Sequence, residues 1–187
     1  MNNPINIFFG VIYKRKNWTQ PNYCRNIFSR NRIKTSNLSF VVAILDSIIL
    51  YKSSLNPLAS WWSEVDFDVF DPLEWLINAC HQRGIEFHAW LNPYRISGDG
   101  SNSQYVAEAL PAVNPANDEN NLIKVGNNVI FDPGIPEVRS FIVDTCMELI
   151  ENYDVDAIHF DDYFYIDGAD DTSTREKYNT ENLSIGD

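Results

Sequence analysis

Positive charge is scarce over most of this chain: 14 Lys and Arg face 26 Asp and Glu in 187 residues, giving a formal net charge of −12. A polyanion binds where Lys and Arg displace its counterions, so this balance argues against nucleic acid or an anionic membrane as a partner and favours a neutral ligand such as a sugar. Long hydrophobic runs are lacking too, and no stretch is long enough to span a membrane. The apolar run from Ile5 to Ile12 is interrupted by Gly10, and its basic residues follow it instead of preceding it, so it does not have the form of a secretory signal. Cysteine is sparse and odd in number. Cys24, Cys80 and Cys146 have no metal-like spacing. Cys80 extends the helical set Leu73, Leu76, Ile77, and Cys146 extends Val138, Ile142, Leu149, so both are expected as buried thiols.

What is present is a globular composition, 44% hydrophobic and 13% aromatic, enough to fill the core of one ordinary domain. Charge divides it unevenly. Lys14, Arg15, Lys16, Arg25, Arg30, Arg32 and Lys34 all fall in the first 40 residues, where there is no Asp or Glu. That segment has no helical or strand periodicity beyond Ile7 to Tyr13. Residues 1–39 are therefore expected to be a poorly ordered basic appendage, and residues 40–187 a domain.

Within 40–187 the order of elements is legible. Phe40 to Leu50 (FVVAILDSIIL) is a Val- and Ile-rich run suited to a strand buried on both faces. Asp71 as N-cap and Pro72 at the first helical position open a helix expected over Pro72 to Arg83, with Gly84 as its stop. Ile85 to Leu91 (IEFHAWL) is a second strand closed by Asn92 and Pro93. Ile96 to Asn128 is expected as a long polar loop, functional or mobile. Pro136 and Glu137 open a second helix to about Asn152, and Val155 to Phe160 supplies a third strand. Strand and helix alternating in this way imply a parallel α/β sheet, where polar residues at the carboxyl ends of strands meet ligands.

The chemistry is concentrated at two such ends. In His159-Phe160-Asp161-Asp162-Tyr163-Phe164-Tyr165, strand alternation puts His159 and Asp161 on one face and Phe160 on the other. Cleaving a glycosidic bond needs one carboxyl to protonate the leaving oxygen and another to stabilise or attack the oxocarbenium-like centre, and aromatic rings offer flat surfaces to sugars. Paired Asp after a strand is also ordinary loop and cap chemistry. In His88-Ala89-Trp90-Leu91-Asn92-Pro93-Tyr94-Arg95, His88, Trp90 and Asn92 share one face, with Arg95 following, although a lone strand histidine is often a hydrogen-bonded core residue. A metal site built on His159, Asp161 and Asp162 would want a further ligand, which His88 alone could supply, so no metal is assigned.

The run DPLEWLINACHQRGIEFHAWLNPYRIS, the later DPGIPEVRSFIVDTCMELIENYDVDAIHFDDYFY, the stretch LYKSSLNP and the order in which they come resemble the glycosyl hydrolase-like family 10 domain, a bacterial family. The resemblance runs from about residue 40 onward. It implies a TIM-type (β/α)8 barrel, cleavage of cell-wall or related glycans, a cell-envelope or extracytoplasmic setting and no obligatory cofactor. It places Asp161 and Asp162 in the active-site cleft as catalytic residues, His88, Trp90, Asn92, Tyr94 and Arg95 along the cleft wall, and His159, Tyr163 and Tyr165 beside them as substrate-binding groups. Beyond Asp161 and its supporting neighbour Asp162, the family's second catalytic carboxylate is not assigned to any residue.

Two departures qualify that picture. Where family members tend to carry a polar first strand, this chain has Phe40, Val41, Val42, Ala43 and Ile44, with Ile48 and Ile49 before Tyr51. Members also continue into the barrel's second half, and closing eight strands takes about 250 residues. The expectation is thus an incomplete TIM-type barrel, roughly its first half, of parallel strands alternating with helices, from a glycoside hydrolase. The competing readings are a non-catalytic carbohydrate-binding module and an inert fragment.

Overall fold

The computed structural model describes residues 8–10, 39–44, 51–58, 62–97, 110–160 and 165–180. Four parallel strands form one sheet in the order β1 (Phe8–Gly10), β2 (Ser39–Ile44), β3 (Glu86–Leu91) and β7 (Ala157–His159). All three strands expected from the sequence are therefore present and are parallel neighbours. β2 covers the first part of the run Phe40 to Leu50, whose residues 45–50 lie outside the described residues. In the basic segment, Phe8–Gly10 pairs with Phe40 to Val42, within the one stretch that had strand patterning.

Helix α1 (Pro72–His81) starts where the sequence indicates. The Asp71 carboxylate accepts from the backbone N–H groups of Leu73 and Glu74 at 2.9 and 3.1 Å, and Gly84, at φ 66°, adopts the left-handed conformation that turns the chain into β3. Helix α2 (Pro136–Asn152) matches its expected span. Both helices pack on the same face of the sheet. Leu73, Leu76, Ile77 and Cys80 of α1 and Leu149 of α2 join Phe87, Ala89 and Leu91 of β3 in one core, against which Cys146, Val155 and Ile158 also pack. Burial pushes the Cys80 thiol up to about 11, as befits an inert core thiol, and raises Cys146 as well.

The expected long polar loop from Ile96 to Asn128 is not a plain loop. It contains most of a second, antiparallel sheet, ordered β4 (Arg95–Ser97), β6 (Asn128–Phe131), β5 (Leu122–Val125), preceded by two 3-10 turns at Pro115–Asn117 and Glu119–Asn121. The alternation of parallel strands with helices is thus interrupted between β3 and α2. Two local features cause this. Gly126, at φ 60°, is the first central residue of a two-residue turn between Val125 and Asn128, a geometry that matches the twist of paired strands. The abundant Asn and Asp act as caps: Asn114 accepts from Ala116 N–H and donates to the Leu55 carbonyl. Ile96, Ala116 and Phe131 close over Ile135, Val138 and Phe141 as a second core. α2 therefore carries apolar residues toward both cores.

A third helix, α3 (Thr172–Tyr178), has no counterpart among the expected elements. It ends on Asn179 in the left-handed conformation, and Arg175 holds Asp171 one turn back at 2.8 Å.

Candidate active site

Residue alternation in β3 separates two faces. Phe87, Ala89 and Leu91 are buried under the helices, which leaves His88 and Trp90 on the opposite face. Register extends that face to β7: Ala89 pairs with Ile158 on the helix side, so His88 faces Ala157 and Trp90 faces His159 as neighbours on the other. Trp90 and His159 stand near the carboxyl ends of their strands, the position where open parallel sheets receive ligands. The sequence put His88 and Trp90 on one face of their strand and His159 on a face of another, and the register brings these two strand faces side by side.

His88 Nε2 lies 3.4 Å from a Glu86 carboxylate oxygen, with the histidine side chain 22% exposed and Glu86 68% exposed. The Trp90 indole N–H is buried with no hydrogen-bond partner among the described residues. A buried unpaired donor is a costly arrangement, which singles the position out. Asn92 Oδ1 accepts from Arg95 N–H at 3.4 Å, closing the turn after β3. Tyr94 packs on the second core, where burial raises its phenol above the ordinary value against the opposing effect of Arg139. Arg95 begins β4 opposite Ile130.

After His159 the chain reaches Phe160, about half exposed. Asp161, Asp162 and Tyr163 lie outside the described residues. Tyr165 lies within electrostatic reach of Asp171 and Arg175, at the start of α3. Burial first, then the carboxylates of Asp171 and Asp132, raise its phenol, and Arg175 opposes them. Among the described residues no three His, Cys, Asp or Glu converge as metal ligands, and no helix is long and apolar enough to cross a membrane.

Three acidic residues important to the architecture were not singled out from the sequence. Asp132 is 4% exposed and accepts from Gly134 N–H at 2.8 Å and from the Thr174 hydroxyl. Glu148 accepts from Tyr51, Ser53 and Ser54. Asp156 accepts from Phe87 N–H at 2.7 Å and lies 2.8 Å from His81 Nε2, locking the amino-terminal end of β7 to β3 and α1. The stretches FDPGIP and LYKSSLNP held the available signal, since a carboxylate beside Pro and Gly or a serine pair after a strand marks a turn that needs capping.

The described residues thus form an α/β protein with a parallel sheet, helices on one face of it, and His88, Trp90 and His159 together on the other. The profile of the glycosyl hydrolase-like 10 family matches residues 14–184, and the chain belongs to that family. It is 40% identical over 121 residues to the glycosyl hydrolase YngK of Bacillus subtilis (strain 168), covering 62% of this chain and 22% of that protein. It is 34% identical over 118 residues to the glycosyl hydrolase DigH of Escherichia coli (strain K12), covering 58% of this chain and 27% of that protein. The aligned part thus spans about a quarter of the length of these curated relatives.

Proposed function

We propose that this chain carries part of a TIM-type barrel of a glycoside hydrolase acting on a bacterial cell-wall or related polysaccharide, with Asp161 and Asp162 as its catalytic carboxylates. The observation that supports this best is the pairing of Trp90 with His159 on the face away from the helices, two residues before Asp161 along the chain. Asp161 acts as nucleophile or stabiliser of the positive charge developing at the sugar carbon, and Asp162 supports it. Trp90 and Tyr163 give the sugar rings flat apolar surface, while His88, Asn92, Arg95 and His159 offer hydrogen bonds to hydroxyls. Tyr94 and Tyr165 complete the substrate-binding groups of this reading.

A second reading, carbohydrate binding without cleavage, draws on β2. In register with His88 and Trp90 stand Val41 and Ala43, so this strand brings no polar residue type to the positions next to them.

Incubating the chain with isolated bacterial cell-wall glycan strands and measuring new reducing ends tests both. The hydrolase reading expects cleavage that falls about a hundredfold or more in Asp161→Asn while the glycan is still retained. Retention without cleavage by the unsubstituted chain favours the binding module. Near-normal turnover in Asp161→Asn combined with its loss in Asp162→Asn reverses the two roles.

A further inference from the structure

Asp132 is a buried carboxylate that the proposed chemistry does not use. Its own backbone is fixed on both sides: its N–H donates to the Asn121 carbonyl at 2.8 Å, and its carbonyl accepts from Ile135 N–H at 3.2 Å. Asn121, itself 5% exposed, is held in turn by donating to the Pro115 carbonyl at 2.9 Å. The carboxylate is thus a rigid acceptor at the end of β6, with one oxygen on Gly134 N–H and the other on the hydroxyl of Thr174. Thr174 lies on α3, 42 residues further along, and is also buried. The approach is close enough that a Cβ at position 134 would collide with the Thr174 methyl group. Tyr165 lies within the electrostatic reach of Asp132 and Asp171. Asp171 is tied to α3 by Arg175, whose backbone N–H also donates to the Asp171 carbonyl.

We propose that Asp132 is a positioning residue for the site at the end of β7, acting through Thr174 to fix Tyr165 and α3 against the end of β6. The chain is held before this point by the Trp90–His159 register and after it by Tyr165 and α3. In the sequence, both carboxylates of the proposed hydrolase, Asp161 and Asp162, come between these two flanks. α3 is only seven residues long and has one buried side chain, Thr174, which leaves it little hydrophobic anchorage of its own. A charge-assisted hydrogen bond to a buried carboxylate supplies that anchorage with a defined geometry. The inference rests on the hydrolase reading for its catalytic consequence and not for the anchoring itself.

The test compares Thr174→Val, which keeps the shape and removes the donor, with Thr174→Ser, which keeps the donor. Amide hydrogen exchange is followed in the peptides 86–91 and 157–166, and cleavage of cell-wall glycan strands is followed in parallel. Thr174→Val is expected to speed exchange in 157–166 while 86–91 stays protected. It is expected to lower kcat about a hundredfold, the effect of a displacement on the ångström scale, with KM little changed. Thr174→Ser restores both. Unchanged exchange in 157–166 overturns the proposal, as does loss of protection throughout, which marks a clasp required by the whole fold. Faster exchange with an unaltered kcat overturns the positioning role. An unsubstituted chain that cleaves nothing defeats the hydrolase reading instead, and the exchange comparison then decides the anchoring alone.

Discussion

Trp90 and His159 are register partners across β3 and β7, on the face of the parallel sheet opposite the helices. This pairing brings residues 69 positions apart together at the surface proposed to hold sugar, and it gives the first prediction. If sugar rings rest on this face, Trp90→Ala removes the largest flat surface and weakens retention of cell-wall glycan strands by about 1–2 kcal/mol, roughly tenfold. Trp90→Phe keeps most of the ring and loses the indole N–H, so it should fall between the two. His88→Ala should cost less than Trp90→Ala. Equilibrium binding measured on the Asp161→Asn background isolates these effects from turnover, and unaltered affinity in Trp90→Ala would remove the platform from the account.

Glu148 gathers the segment that follows β2. Its carboxylate accepts from Tyr51 Oη at 3.2 Å, Ser53 Oγ at 2.5 Å, Ser54 N–H at 2.7 Å and Ser54 Oγ at 2.8 Å. Tyr51 is fully buried in the first core, edge-on to Tyr153. Glu148→Gln replaces one acceptor oxygen by a donor facing donors, and the expected loss is about 2 kcal/mol of stability. Urea titration should show a lower midpoint with an unchanged slope, since the surface exposed on unfolding is the same.

Much of this architecture was legible because local and long-range requirements coincide. Asp71, Pro72 and Gly84 bracket α1 by local chemistry alone, and the alternation in Ile85 to Leu91 already separates Phe87 from His88 and Trp90. The hairpin of β5 and β6 was hidden by its surroundings. Counting Asn, Ser, Asp and Gly across 96–128 marked a loop, although Leu122–Val125, then Gly126 and Asn127, then Asn128–Phe131 is the pattern of a two-residue turn. α3 escaped for a different reason, since Thr172–Tyr178 has no apolar stripe and is held by the Thr174 hydroxyl and the Asp171–Arg175 pair. Asp132 was invisible as a buried group because an acidic residue in a Pro- and Gly-rich stretch is ordinarily exposed. Its burial depends on a partner 42 residues away, which no local pattern encodes.

The junction at Asp156 makes stability depend on pH. Burial alone would raise this carboxyl, but Phe87 N–H and the hydrogen bond and charge of His81 outweigh it, and the net shift is downward from 3.8. A carboxyl depressed in the folded state contributes stability that is fully present above its unfolded value, near pH 4, and is lost as pH falls through the lower folded value. Asp156→Asn should therefore reduce stability by about 1 kcal/mol at pH 7, a modest figure because the group is partly exposed. The difference between the two proteins should narrow below about pH 4 as the unsubstituted carboxyl takes up its proton. Thermal unfolding from pH 3 to pH 7 measures this, and a gap that stays constant over the range would assign the effect to packing instead of charge.

Gly134 gives the most local prediction. A Cβ there would collide with the methyl group of Thr174 and stand 3.1 Å from Asp132 Oδ1, so one of these must move. Neither moves cheaply, because both are buried and joined by the hydrogen bond that holds α3. Gly134→Ala is expected to cost about 1–3 kcal/mol, the usual range for overpacking. Thr174→Ser deletes the offending methyl and keeps the hydroxyl, so on its own it should be mild. In the double variant Gly134→Ala with Thr174→Ser, the collision disappears and much of the lost stability should return, leaving a coupling of about 1 kcal/mol or more between the two sites. Chemical denaturation of the four proteins closes this cycle. Strict additivity would show that position 134 and α3 do not press on each other in solution.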